Sequence, residues 1–75
     1  MKIKFSRHAK RRVRLYGISK SVIESILLSI NLNQGNHEII KKVVGFKYPL
    51  KILCDLDKED LTIITCYPLK KRRKK

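Results

Sequence analysis

Residues 50–67 read LKILCDLDKEDLTIITCY, two apolar stretches on either side of the polar turn Asp57–Lys58–Glu59–Asp60. Branched and aromatic residues alternating with polar ones mark half-buried strands, and a short polar connection marks a hairpin. The pattern predicts strands over Leu50–Asp55 and Leu61–Tyr67. If residues 57–60 form the turn, paired residue numbers sum to about 117 in a regular ladder. Cys54 then opposes Ile63 and Cys66 opposes Lys51, with the two thiols on opposite faces. Leu50, Ile52, Cys54, Leu61, Ile63, Thr65 and Tyr67 share the other, more apolar face. That face is expected to receive the helices, with Thr65 and Tyr67 at its polar end.

Working outward, His37–Val44 is β-branched and lysine-rich and reads as a further strand, with Gly45–Lys47 as its turn. Pro49 has no N–H to give to a ladder, so it opens its strand or lies on an edge. Asn31–Asn36 is a polar loop. Upstream, Val22, Ile23, Ile26, Leu27 and Ile30 form a helical stripe opposite Lys20, Ser21, Glu24, Ser25 and Ser29, with Ser19 as its cap. Ser6 caps an earlier helix over Arg7–Tyr16, which Gly17 can end in the left-handed conformation. Met1–Phe5 alternates Lys2 and Lys4 with Ile3 and Phe5, as a short strand would. The expected architecture is α+β: two N-terminal helices packed on a four-stranded, mainly antiparallel sheet, in the order β-α-α-β-β-β.

Seventy-five residues carry 19 Lys and Arg against 6 Asp and Glu, a formal net charge of +13. Six of the basic residues form the closing run Lys70–Lys75, which is read as a disordered basic tail outside a single domain over 1–69. The body remains basic without it. A chain of this length buries only about 60–65% of its unfolded surface, so nearly every Ile, Leu and Val must enter the core. No apolar run is long enough to cross a bilayer, and no h-region follows Met1–Phe5. The expected setting is cytoplasmic, without a membrane partner. Two cysteines fit no zinc spacing, and no carboxylate cluster or Gly-rich phosphate loop is present, so neither a metal nor a cofactor is expected.

The first helix concentrates the polar chemistry. Lys10, Arg14, Arg7 and Arg11 make a nearly pure cationic face, while His8 and Arg12 fall one turn apart on the side that carries Ala9, Val13, Leu15 and Tyr16. An inward Arg is costly unless an acid, a carbonyl or a phosphate satisfies it. Two readings stand side by side: Arg12 pairs with an acid such as Glu38 or Asp55, or His8 and Arg12 form an anion site with Thr65 and Tyr67. His37 next to a polar loop reads as an ordinary exposed histidine rather than the second half of an acid/base pair. Tyr48 reads as a half-buried strand residue rather than a base-stacking one. The run Lys70, Lys71, Arg72, Arg73, Lys74 and Lys75 suits attachment to nucleic acid through counterion release, or serves solubility alone; binding to an anionic membrane surface is the third reading, with no acyl site or amphipathic anchor beside it.

His8-Ala9-x-x-Arg12-Val13-x-x-Tyr16-Gly17-Ile18-Ser19 resembles the H-A-x-x-R-M-x-x-R-G-I-S signature of a family of small uncharacterised prokaryotic domains placed near the RelE/ParE toxins. The ending Ile63-Ile64-Thr65-Cys66-Tyr67-Pro68 is similar to that family's closing strand. Tyr16 stands where the family usually has Arg. The resemblance implies a RelE/ParE-like fold. It also implies either a metal-independent endoribonuclease of the toxin type, held silent by an acidic antitoxin protein, or a relative that has lost that activity. Carried over residue by residue, it marks His8, Arg12, Thr65 and Tyr67 as catalytic. By their charge alone, Lys10, Arg11, Arg14 and the tail are expected to hold RNA or another nucleic acid. The alternative is a non-enzymatic basic module that binds nucleic acid or a partner protein.

Overall fold

The computed structural model describes residues 2–69. The elements run β1 (Lys2–Phe5), α1 (Arg7–Tyr16), α2 (Lys20–Leu28), β2 (Gly35–Lys41), β3 (Leu50–Asp57) and β4 (Asp60–Pro68). The four strands form one mixed sheet in the order β1-β4-β3-β2. The β2–β3 and β3–β4 pairs are antiparallel, and β1 runs parallel to β4, pairing Lys2 with Asp60 through Phe5 with Ile63. The α+β architecture and the element order therefore match the expectation.

The core lies between the helices and one sheet face. Ala9 and Val13 of α1, Ile23, Ile26 and Leu27 of α2, and Ile18 between them meet Leu50, Ile52, Cys54, Leu56, Leu61, Ile63 and Cys66. The α1 C-terminus closes as the glycine requires: Gly17 sits at φ 64°, and the Ile18 N–H donates to the Val13 carbonyl at 2.8 Å. Both apolar ends of that turn are buried, so the cap and the core support each other.

Two expectations are corrected. The second strand ends at Lys41 rather than Val44 and begins at Gly35 rather than His37. Its last pair is Lys41 with Leu50; the next position on the partner strand is Pro49, which has no N–H to extend the ladder. The β3–β4 hairpin also departs from a regular ladder. Cys54 faces Ile63, as the turn dictates, but Leu53 faces Thr65, Ile52 faces Cys66 and Lys51 faces Tyr67. Ile64 is the extra residue of a β-bulge, and beyond it the strand's two faces exchange. Cys66 is therefore in the core on the same face as Cys54, and Tyr67 is on the Lys51 face. Both cysteines are free thiols, and burial pushes both above the usual thiol range, with Arg12 opposing the shift at Cys66.

Ser6 holds the bulge in place. Its N–H donates to the Ile63 carbonyl at 3.0 Å, and its hydroxyl donates to the Ile64 carbonyl at 2.7 Å. The same hydroxyl oxygen accepts from the Ala9 N–H at 3.0 Å, capping α1. One side chain thus satisfies a helix end and an irregular strand carbonyl at once. Ser6→Ala is expected to cost about 2 kcal/mol, a cap plus a neutral hydrogen bond. For a domain of this size that lowers the melting temperature by about 10 °C; a change under about 2 °C in a thermal scan would contradict this account of Ser6.

Candidate nucleic-acid interface

The α1 sequence RHAKRRVRLY places five cations and no acid in ten residues. Arg7, Lys10, Arg11 and Arg14 are exposed, and none lies within ion-pair distance of an acid among the described residues. Several of these cations are three or four residues apart, where like charges repel by a few tenths of a kcal/mol per pair. Arg7 also opens the helix against its macrodipole, because the first turn holds no acidic residue. The helix is less stable than a charge-balanced one would be, and its outer face has a strongly positive potential.

Four of the six acids, Asp55, Asp57, Glu59 and Asp60, sit on or beside the β3–β4 turn. Tyr67 and Lys51 pair six residues along the hairpin from that turn, about 20 Å away at the rise of a strand. Charge is therefore segregated along β3 and β4, with α1 and the Tyr67 end positive.

At that end Arg12 reaches over the edge of β4. Its guanidinium carbon lies 5.5 Å from the Tyr67 ring centroid, and its Nη1 donates to the Tyr16 hydroxyl at 3.4 Å. The expected partners Glu38 and Asp55 are not used: Glu38 instead holds Lys51 at 3.1 Å, on the face of the sheet away from the helices. The Glu38 hydrogen bond raises the Lys51 pKa, partial desolvation opposes it, and Tyr67 adds smaller raising contributions. A row Ile40–Lys51–Tyr67 crosses β2, β3 and β4 on this outer face and ends beneath Arg12. The arrangement is a flat edge, and no cavity opens among the described residues.

The four residues expected to converge divide into two groups. Arg12 and Tyr67 come together. Thr65 follows the bulge residue and pairs with Leu53, off the helix-covered face to which it was assigned; it is 8% exposed, and its Oγ1 is buried with no hydrogen-bond partner. His8 is exposed on α1, one turn before Arg12 on the same column, because the stripe that α1 buries is only Ala9 and Val13 wide. An orphaned buried hydroxyl costs about 1–3 kcal/mol. Thr65→Val is accordingly expected to leave stability unchanged or raise it by about 1 kcal/mol in denaturant unfolding. A loss of more than 1 kcal/mol would mean that the hydroxyl has a partner.

His37 donates from its Nε2–H to the Asn33 carbonyl, a contact that closes the loop before β2. Tyr48 is half-buried, with the Lys47 ammonium 5.7 Å from its ring centroid. Lys70–Lys75 lie outside the described residues. Within the described residues no three His, Cys, Asp or Glu side chains cluster in a way that could hold a metal, and no helix is long and apolar enough to cross a membrane. The sequence reading missed Lys51 as a member of the site; the bulge that brings it opposite Tyr67 has no compositional signature. Compared with protein-family models, curated proteins and solved structures, the chain matches none.

Proposed function

We propose that the chain is an RNA-binding module of RelE/ParE-like type that grips the phosphate backbone through α1 and the Arg12–Tyr67 edge. The observation that carries this reading is the unpaired cationic face of Arg7, Lys10, Arg11 and Arg14. Such a face costs the isolated helix stability, and an anionic polymer that releases condensed counterions more than offsets the cost. Arg12, already desolvated on one side by the Tyr67 ring, supplies a fork for a phosphate next to an aromatic surface for a base. Lys70–Lys75 would add six further cations for phosphates, and an acidic partner protein would compete with RNA for the cationic face.

The cleavage reading draws support from one feature, the approach of Arg12 to the Tyr67 phenol. In that reading Arg12 holds the scissile phosphate, and His8, one turn away, takes the proton of the 2′-hydroxyl as its oxygen bonds to phosphorus. The P–O5′ bond breaks, leaving a 2′,3′-cyclic phosphate, and the 5′-oxygen leaves with a proton from water. Against it stand the flat edge and the buried Thr65 hydroxyl. One experiment separates the two. A labelled single-stranded RNA is titrated with the full chain by fluorescence anisotropy, and the same mixture is run on a denaturing gel. Binding with intact RNA supports the module. Fragments that disappear in His8→Ala support the endoribonuclease. No salt-sensitive binding would contradict both.

A further inference from the structure

Residues 42–49, KVVGFKYP, connect β2 to β3 and are not used in the interface described above. Val44 stands at the tip and is 99% exposed. Gly45 makes the turn at φ 94°, and the Phe46 N–H donates to the Val43 carbonyl at 3.1 Å. Val43 and Phe46 pack against the core, so the loop is anchored while its tip projects. Lys41, Lys42 and Lys47 are exposed around it, and no acid lies on the loop. The Leu69 N–H donates to the Pro49 carbonyl at 2.8 Å, tying the loop's stem to the end of β4. Leu50 pairs with both Lys41 and Pro68, one row beyond Ile40–Lys51–Tyr67. The loop therefore emerges at the same end of the sheet as Tyr67, and at the end remote from the acidic turn.

Taken with the RNA-binding reading, on which this inference rests, the geometry points to the loop over residues 42–48 as a second contact that selects single-stranded over double-stranded RNA. Tyr48 is the stacking surface: the Lys47 ammonium lies at its ring, 5.7 Å from the centroid, where a base can replace it while the lysine moves to a phosphate. Lys42 holds the backbone on the other side of the tip. A strand that leaves the Arg12–Tyr67 edge crosses only β4, β3 and β2, about 10 Å at the spacing of neighbouring strands, before meeting Lys42 at the start of the loop. Unstacked bases can meet a tyrosine face in this way, whereas bases paired in an A-form duplex cannot.

The test uses the full chain and a short oligoribonucleotide carrying 2-aminopurine, with the same sequence annealed to its complement as control. Tyr48→Ala is expected to lower single-strand affinity about 5- to 150-fold, the range for one stacked base, and to leave duplex affinity within twofold. Tyr48→Phe keeps the stacking and the fluorescence quenching. Val44→Asp changes only a fully exposed position, so the fold is retained, and its added charge should weaken single-strand binding several-fold at 0.05 M salt and not at 1 M. RNA binding in the wild type that none of the three variants alters would overturn the loop's role and leave the α1 interface standing. A wild type that binds no RNA overturns both. Binding to anionic lipid vesicles that Val44→Asp abolishes, with RNA affinity unchanged, would assign the loop to a membrane surface instead.

Discussion

Replacing Arg7, Lys10, Arg11 and Arg14 together with alanine is expected to lower the affinity for single-stranded RNA between about 10²- and 10³-fold at 0.1 M salt. Each cation that neutralises a phosphate contributes roughly 0.7 to the slope of log K against log salt on a single strand, so the slope should fall by about three. The fold should survive, because all four side chains point away from Ala9 and Val13, the α1 residues in the core. Alanine also removes the like-charge repulsion along α1 and has the best helix propensity, so stability should be unchanged or higher. Lower affinity with equal or greater stability separates a binding face from a structural one. An affinity within threefold of wild type would show that RNA, if it binds, uses another surface.

The second large effect concerns the bulge. Cys66→Lys is expected to unfold or strongly destabilise the protein at neutral pH, whereas Tyr67→Lys should leave it folded. Cys66 is fully buried opposite Ile52, so a lysine there must lose its proton or its solvation. A buried lysine has its pKa lowered by about 3–5 units, which costs about 4–5 kcal/mol at pH 7. The nearby Arg12 guanidinium worsens the case, and overpacking adds about 1–3 kcal/mol. A domain of this length has a net stability of roughly 4–11 kcal/mol, centred near the size of this penalty, so about half or more of it is lost and at the lower end all of it. Tyr67 lies at the half-exposed rim beside Lys51, where another cation is tolerated. A regular hairpin without the bulge would reverse the two outcomes. Circular dichroism and denaturant unfolding of the two variants decide between the registers.

That reversal locates what the sequence could and could not reveal. Ser6, Gly17 and Ser19 punctuate the helices, and the alternation in 50–67 marks the hairpin, so element order and the first half of the register were legible. The bulge was not. Ile63-Ile64-Thr65-Cys66 is a run of strand formers with no glycine or proline to betray an extra residue. What stabilises the irregular carbonyl of Ile64 is Ser6, 58 positions away, and no local pattern reports such a contact. A slip of one residue then moved Tyr67 off the helix-covered face, with Lys51 as its neighbour. Arg12 was legible as a residue at the helix seam, and it still reaches Tyr67 because its long side chain spans the edge of β4. His8 was misread by one step of the helix. Its column was right, but the strip that α1 buries is too narrow to include it.

The parallel pairing of β1 with β4 was equally hidden, since periodicity within a strand carries no information about its neighbour. It matters for the site because β1 pairs only as far as Ile63. Beyond that point no strand among the described residues covers the edge of β4, and α1 takes the place of one through Ser6. The cationic helix and the Tyr67 edge are thereby set side by side by topology rather than by any motif.

The most direct test of RNA recognition through α1 and the Tyr67 edge is chemical-shift mapping of the ¹⁵N-labelled full chain during titration with a short single-stranded RNA. The account predicts salt-sensitive amide shifts over Arg7–Tyr16 and at Lys51 and Tyr67, with α2 and the acidic Asp57–Asp60 turn unmoved. Shifts confined to α2 or to that turn, or no shifts at low salt, would contradict it.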